Sequence, residues 1–127
     1  MNTSTSQTRP PIVTYRELIV WQRSMEICEL VYTSTVSFPE SEKYGLVAQM
    51  RQAAVSIPSN IAEGQGRLVG NDFRRFLGIA RGSLRELETQ VLLAGKLSYL
   101  TPEATEALLG LMEEVSRMLN KLITKLA

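Results

Sequence analysis

The residues best suited to chemistry in this sequence are arginines that could bind phosphate groups. Between Gly64 and Arg85 the charged residues are five arginines and a single aspartate, on a chain whose net charge is only +1. A guanidinium group offers a planar fork of N–H donors that matches a phosphate, so this local excess of positive charge predicts a nucleic-acid-binding surface. The candidate residues are Arg67, Arg74, Arg75, Arg81 and Arg85.

Three of these arginines share one face if this part of the chain is helical. Arg74, Arg81 and Arg85 are spaced seven and four residues apart, which is the spacing of a single helical face. The alternative to phosphate binding is a solvated face on which the arginines pair with nearby glutamates, for example Arg85 with Glu88.

Two lines of polar side chains form a second candidate site. Each line recurs every three or four residues and therefore follows one side of a helix. The first line is Ser56, Asn60 and Glu63, and the second is Ser83, Glu86 and Gln90. If the two helices pack together, these groups are predicted to form a hydrogen-bonded structural network, because buried polar groups need partners. The alternative is a catalytic carboxylate pair, Glu63 and Glu86, of the kind that glycosidases use.

The residue types argue against an enzyme and against a metal protein. The sequence contains no histidine, which removes the commonest general base and with it the Ser–His and Cys–His nucleophile pairs. The Glu-x-x-His motifs of di-iron bundles are likewise impossible. We therefore expect no catalytic residue, no bound metal and no cofactor.

Length and composition predict one soluble domain. The 127 residues suffice for a hydrophobic core, and no apolar run approaches the roughly 20 residues that cross a bilayer, so no membrane contact is expected. The N-terminal segment lacks the apolar core of a signal peptide, and the single Cys28 suits a reducing compartment. We expect a cytoplasmic protein with a flexible tail over residues 1–12 and a folded domain over residues 13–127.

Apolar residues spaced three and four apart predict four helices and no strand. Helix 1 is expected to begin at a capping box formed by Thr14 and Glu17 and to end near Ser37, before Pro39. Cys28 is expected to be a small buried hydrophobe. The main apolar stripe is Leu18, Trp21, Met25, Cys28 and Tyr32, and a second stripe is Val20, Ile27 and Val31.

Helix 2 is expected to begin between residues 39 and 46. Pro58 lies inside its apolar stripe and removes one backbone donor, so a kink or a local loosening is predicted near Ala54. Gly64 and Gly66 are expected to end the helix.

The second half of the chain predicts two longer helices. Helix 3 is expected to be capped by Gly70 or Asn71 and to extend to about Leu97. Helix 4 is expected to begin with Thr101 as its N-cap and Pro102 at its first position. Four helices of similar length with short connections predict an all-α, antiparallel up-down-up-down four-helix bundle.

Two features predict that the bundle associates with itself. Gly78 and Gly82 each lower helix stability by about 1 kcal/mol relative to alanine, and the close approach of another helix, from the same bundle or from a neighbouring subunit, would explain them. Helices 1 and 4 also carry two apolar stripes each, whereas the core of a small bundle needs only one stripe per helix. A homo-oligomer is therefore expected.

Four segments give the chain a resemblance to a known family. They are YRELIVWQRSMEI, FPESEKYGLVAQMRQAAVSIPSNIAEGQGR, FRRFLGIARGSLRELETQ and LSYL. Together they resemble the 23S rRNA intervening-sequence proteins, also labelled ribosomal protein S23, over residues 15–126. The resemblance implies an antiparallel four-helix bundle, a ring-shaped homopentamer as in structurally known relatives, and no enzyme activity.

Two functions remain open at this point. The first is non-enzymatic binding of RNA or DNA by an oligomeric bundle. The alternative is a scaffold or adaptor for protein–protein interaction, because a branch of the resembled family serves diversity-generating retroelements as an accessory protein that binds the reverse transcriptase and nucleic acid. No residue of this chain selects that branch.

Overall fold

The computed structural model describes residues 14–67 and 70–127, and this part of the chain contains four α-helices and no strand. The helices are α1 (Ile19–Thr35), α2 (Leu46–Gln65), α3 (Gly70–Lys96) and α4 (Pro102–Lys125). Short 3-10 turns at Tyr15–Glu17 and Glu40–Glu42 precede α1 and α2. The all-α prediction is confirmed, and the predicted tail over residues 1–12 lies outside the described residues. None of the helices described here is both long enough and apolar enough to cross a membrane.

The start of α1 differs from the predicted capping box. Residues Tyr15–Glu17 form a 3-10 turn in which the Glu17 amide donates to the Thr14 carbonyl at 3.0 Å. Helix α1 begins later, at Ile19, with Leu18 as its N-cap residue and no side-chain cap. The capping-box prediction is wrong because the backbone turn uses the amide that the Thr14 side chain was expected to cap. At its other end α1 stops at Thr35, two residues before the predicted end.

The two apolar stripes of α1 have exchanged the roles expected from the sequence. Ile27 and Val31, on the second stripe, are fully buried, whereas Met25 and Tyr32, on the main stripe, are 38% and 43% exposed. Both stripes obey the same spacing, so periodicity does not decide which of two adjacent sectors faces the bundle axis. Cys28 lies on the edge of the main stripe nearest to the second stripe and is buried, as predicted.

Helix α2 runs unbroken past Pro58. The proline has no amide hydrogen, so the carbonyl of Ala54 lacks its usual helical donor. The thiol of Cys28, on α1, donates to this carbonyl with a sulfur–oxygen distance of 3.2 Å. A side chain of the neighbouring helix therefore satisfies the position at which the sequence predicted loosening.

Gly64 does not end α2, contrary to prediction, but lies inside the helix where α3 packs most closely. A Cβ built on Gly64 would lie 2.6 Å from Phe76 Cβ and 3.0 Å from Phe73 Cδ1, which is closer than side-chain atoms approach one another. The helix ends one residue later, at Gln65, with Gly66 as its C-cap residue. The glycine at position 64 thus serves helix packing.

The start of α2 and the turn after α3 are joined by one carboxylate. Glu42 Oε1 accepts a hydrogen bond of 3.1 Å from the Leu46 amide, and Glu42 Oε2 accepts one of 3.1 Å from the Tyr99 hydroxyl. This hydrogen bond to the Glu42 carboxylate raises the pKa of Tyr99. The aromatic rings of Tyr99 and Phe38 lie 5.3 Å apart, so the two connections at this end of the molecule are fixed to each other.

Helix α3 begins earlier than predicted and α4 begins as predicted. Gly70 and Asn71 are already helical, so neither is the N-cap of α3. Thr101 Oγ1 accepts a hydrogen bond of 3.1 Å from the Ala104 amide, and Pro102 is the first residue of α4. The start signal of α4 is confirmed.

Residues of consecutive helices contact one another in pairs. Such pairs are Ser56 with Ser83 and Gly64 with Phe76 between α2 and α3, and Gly95 with Thr105 and Arg81 with Asn120 between α3 and α4. The core lies between the four helices. Its largest fully buried side chains are Ile27, Met50, Ile57, Ile61, Leu77, Leu87, Leu108 and Leu119.

Candidate nucleic-acid interface

Two of the predicted arginines of α3 are hydrogen-bonded to residues of the adjacent helix α4. Arg74 Nε donates to the Ile123 carbonyl at 3.3 Å, and Arg81 Nη1 donates to Asn120 Oδ1 at 3.0 Å. Each guanidinium uses one N–H in this way and keeps the others available, because a guanidinium has five. The arginines are therefore positioned by α4 and still able to bind a ligand.

Two other predicted arginines lie against the ring of Phe76. Arg75 Cζ is 4.6 Å and Arg67 Cζ is 5.0 Å from the ring centroid, within the range of a cation–π interaction. Arg67 also pairs with Glu63, one turn earlier in α2, at 2.8 Å. Phe76 thus holds Arg75 beside Arg74 and Arg81, while the charge of Arg67 is already balanced.

Ion pairs involve three of the five described arginines outside α3 and none of those on α3. Arg23, Arg67 and Arg117 each have a carboxylate within 3.3 Å. Among residues 14–67 and 70–127, no carboxylate lies within 4.0 Å of the guanidinium groups of the α3 arginines. The predicted alternative, a pair between Arg85 and Glu88, is therefore not formed. All four described arginines of α3, Arg74, Arg75, Arg81 and Arg85, are therefore unpaired, as are Arg16 and Arg51 elsewhere in the described chain.

Arg74, Arg75 and Arg81 surround a hollow in the surface between α3 and α4. The hollow has a volume of about 420 Å³, and its remaining lining residues are Asn71, Gly78 and Ile123. A Cβ built on Gly78 or on Gly82 would meet no atom within 4 Å. Close approach within the bundle is therefore not the reason for these glycines, and the space above Gly78 belongs to the hollow. We name it the arginine hollow.

The polar lines meet only in part. Ser56 Oγ and Ser83 Oγ are 2.8 Å apart, and Asn60 Nδ2 donates to the Ser56 carbonyl at 2.8 Å and to Ser56 Oγ at 3.0 Å. Gln90 is only 7% exposed, and its Oε1 atom has no hydrogen-bond partner among the described residues. Of the six residues predicted to form one network, the structure brings three together.

The two glutamates of the polar lines are not brought together. Glu63 is exposed and pairs with Arg67, whereas Glu86 lines a different hollow of about 260 Å³ beside Ser56 and Ser83. Glu63 follows Ser56 by seven residues on α2, and Glu86 follows Ser83 by three residues on α3. Measured from the Ser56–Ser83 contact, the two glutamates lie in opposite directions along the helices. At 1.5 Å per residue they are about 15 Å apart. A glycosidase pair is separated by roughly 5 to 9.5 Å, so this arrangement does not form one.

The part of the chain that the structure describes contains no group of three or more Cys, Asp and Glu side chains arranged to hold a metal ion. It does contain an apolar groove between α1 and α2 that was not predicted, of about 310 Å³. The exposed main stripe of α1 was its signal in the sequence. The apolar residues of this α1–α2 groove include Tyr15, Trp21, Met25, Val55, Pro58 and Ala62.

Comparison with known proteins agrees with the resemblance found in the sequence. Residues 16–121 match the family model described as 23S rRNA-intervening sequence protein. The chain also resembles a crystal structure, at 1.70 Å resolution, of a protein of unknown function from the S23 ribosomal protein family of Bacteroides thetaiotaomicron. The two are 24% identical over 84% of this chain and 96% of that chain, with a TM-score of 0.76, a likeness that concerns the fold. No curated protein sequence matches.

Proposed function

The chain belongs to the 23S rRNA-intervening sequence protein family, and we propose that it acts as a non-enzymatic RNA-binding protein of the cytoplasm. In this proposal the exposed arginine side of α3 contacts the phosphate backbone. The four helices form an antiparallel up-down-up-down bundle, and copies of the bundle assemble into a homopentameric ring.

The observation that carries the proposal is the contrast in ion pairing between two sets of arginines. Arg74, Arg75, Arg81 and Arg85 have no carboxylate within 4.0 Å in the described parts of the chain, whereas Arg23, Arg67 and Arg117 are paired. A cluster of unpaired guanidinium groups repels itself, and a polyanion relieves this repulsion while releasing its own counterions. Contacts with α4 and Phe76 position three of these arginines, which suits them to bind a polyanion.

Assembly into a ring supports binding by repetition. Each arginine cluster makes only a few phosphate contacts, but linked clusters act together and raise the overall affinity. Backbone contacts position a nucleic acid without reading its bases, so binding is expected to show little sequence preference. The exposed apolar side chains Met25, Val55, Leu92 and Leu93 provide surface for contacts between copies.

Binding of single-stranded RNA to arginine variants tests the function. Replacing Arg74, Arg81 and Arg85 together with alanine is expected to abolish binding while helicity and oligomer size stay unchanged. The matched control replaces Lys43, Lys96 and Arg117 with alanine. These residues are also exposed, and their replacement removes the same charge from other surfaces. Equal loss of binding in both triple variants contradicts a specific role for the α3 arginines.

A second candidate function is a protein-interaction scaffold or adaptor, such as an accessory subunit of a diversity-generating retroelement reverse transcriptase. It is favoured by the α1–α2 groove, where the apolar residues Met25 and Val55 are exposed next to Trp21 and Pro58. The groove could serve contact between subunits or binding of a different protein, and substituting lysine for both Met25 and Val55 distinguishes these two roles. Dissociation of the oligomer, measured by light scattering, assigns the groove to subunit contact. An oligomer of unchanged size leaves the groove free for another protein.

A further inference from the structure

We propose that the arginine hollow binds a terminal phosphate group, the phosphomonoester at an end of a nucleic acid chain. This inference rests on the proposed function and names which phosphate the hollow takes. The hollow would bind the end of the nucleic acid chain, whereas the wider arginine surface of α3 would bind phosphates within the chain.

The positive charge around the hollow is greater than the negative charge of one backbone phosphate. Arg74, Arg75 and Arg81 line it, and no acidic side chain is among its lining residues. An internal phosphodiester carries one negative charge and two free oxygens. A terminal phosphomonoester carries about −1.5 to −2 charges at pH 7 and three strong acceptor oxygens, which suits a site lined by three guanidinium groups.

The three guanidinium groups are held in place before any ligand binds. Arg74 is fixed by the Ile123 carbonyl at 3.3 Å, Arg81 by Asn120 at 3.0 Å, and Arg75 by the ring of Phe76 at 4.6 Å. Less side-chain entropy is lost on binding when donors are positioned in advance. The Ile123 carbonyl would itself repel an anion, but the Nε–H of Arg74 already occupies it.

The backbone at the start of α3 adds to the attraction for an anion. Asn71, in the first turn of α3, also lines the hollow, and the first turn of a helix carries free amides and the positive end of the helix dipole. Gly78 leaves the wall of the hollow without a side chain, and a Cβ there would meet nothing within 4 Å. A phosphate can therefore approach the backbone of α3 directly.

Gly78 also provides a variant that blocks the hollow without disturbing the core. In Gly78→Glu the new carboxylate lies one turn from Arg74 and from Arg81, at the spacings that form ion pairs on a helix, and so competes with a bound phosphate. Gly110→Glu is the matched control. Gly110, on α4, also has open space at its Cβ position, so it accepts the same side chain and the same charge outside the hollow.

The experiment compares labelled single-stranded RNAs of one sequence with a phosphate at the 5′ end, at the 3′ end or at neither end. A hydroxyl-ended RNA lengthened by two nucleotides matches the total charge. We expect at least one phosphorylated RNA to bind about tenfold tighter or more than both hydroxyl-ended RNAs, as one added charge-assisted hydrogen bond would give. This preference should vanish in Gly78→Glu and persist in Gly110→Glu, and millimolar inorganic phosphate should weaken it.

The other outcomes overturn specific parts of the account. Equal binding of all the RNAs rejects the terminal-phosphate site and leaves the proposed function standing, whereas no binding of any RNA rejects both. A preference that survives in Gly78→Glu places the site elsewhere and rejects the arginine hollow. If circular dichroism shows that Gly78→Glu is unfolded, the double variant Arg74→Gln, Arg81→Gln replaces it, with the same expected loss.

Discussion

At the scale of single residues, the side chain of Cys28 donates a hydrogen bond to the backbone of the neighbouring helix. Its thiol donates to the Ala54 carbonyl, which lacks a helical donor because Pro58 has no amide hydrogen. Burial raises the pKa of the Cys28 thiol from 9.0 to about 11. The thiol therefore keeps the proton that it donates at neutral pH.

Replacing Cys28 with alanine is expected to lower the free energy of unfolding at pH 7 by about 1 to 3 kcal/mol, because a buried carbonyl loses its donor. The wild-type protein should also lose stability above pH 9, because the folded state holds the thiol proton up to a pKa of about 11 and the unfolded state only to 9.0. Urea unfolding at pH 7, 9 and 11 measures both effects. An equal decline of wild type and Cys28→Ala above pH 9 contradicts this account.

A second residue-scale prediction concerns glycines that look alike in the sequence. Gly64→Ala is expected to destabilise the protein by about 1 to 3 kcal/mol through overpacking, because the added Cβ would lie 2.6 Å from Phe76 Cβ. Gly110→Ala, where the Cβ meets nothing within 4 Å, should instead stabilise it by up to about 1 kcal/mol. Thermal unfolding of the two variants checks the opposite signs, and a stabilised Gly64→Ala refutes the close packing of α2 and α3.

The sequence could identify these residues but not their partners. Pro58 inside an apolar stripe and Gly64 near a helix end were both visible, and each was interpreted from its own helix only. The Cys28 thiol and the Phe76 side chain come from other helices, which local spacing does not place. The predicted end of α2 at Gly64 was wrong, and the donor to the Ala54 carbonyl was not predicted, because both depend on contacts between helices.

At the scale of helices, the end of α3 depends on a residue in an unfavourable backbone conformation. Ser98 has φ = 63°, and the Tyr99 amide donates to the Ala94 carbonyl at 2.9 Å while the Ser98 amide donates to Gly95 at 3.1 Å. This is the Schellman arrangement, in which glycine is preferred at the left-handed position. Serine is retained there at some loss of stability.

Ser98→Gly is expected to raise the free energy of unfolding by about 0.5 to 1 kcal/mol, because glycine adopts positive φ without strain. Ser98→Val should lower it by about 1 kcal/mol or more, because a β-branched side chain resists this conformation. Denaturant unfolding with unchanged m-values measures both shifts. Stabilities that do not differ between the two variants contradict the assigned left-handed turn.

The existence of the four helices could be predicted, but the orientation of α1 could not. Periodicity identified every helix, and the Thr101-Pro102 start signal fixed α4 to the residue. Helix α1 carries two adjacent apolar stripes, and the choice between them depends on where α2 and α4 lie. Because the second stripe of α1 faces the core, Met25 and Tyr32 on the main stripe are exposed, and the α1–α2 groove lies beside them.

At the scale of the whole molecule, the arginine surface depends on contacts that no single segment contains. The spacing of Arg74, Arg81 and Arg85 placed them on one face of a helix. Asn120 and Ile123, which fix Arg81 and Arg74, lie on α4 and gave no signal in the sequence. Local charge therefore predicted where phosphate could bind, and the tertiary structure defines which arginines are free to bind it.

The salt dependence of RNA binding tests the central claim most directly. Each phosphate contact to a single strand contributes about 0.7 to the slope of log K against log salt concentration. Wild-type protein should therefore show a slope steeper by about 0.7 per bound protomer than the variant Arg81→Ala, which removes one phosphate contact and retains measurable binding. The variant lacking Lys43, Lys96 and Arg117 should keep the wild-type slope. Absence of wild-type binding at about 50 mM salt, or equal slopes for wild type and the first variant, contradicts phosphate recognition by α3.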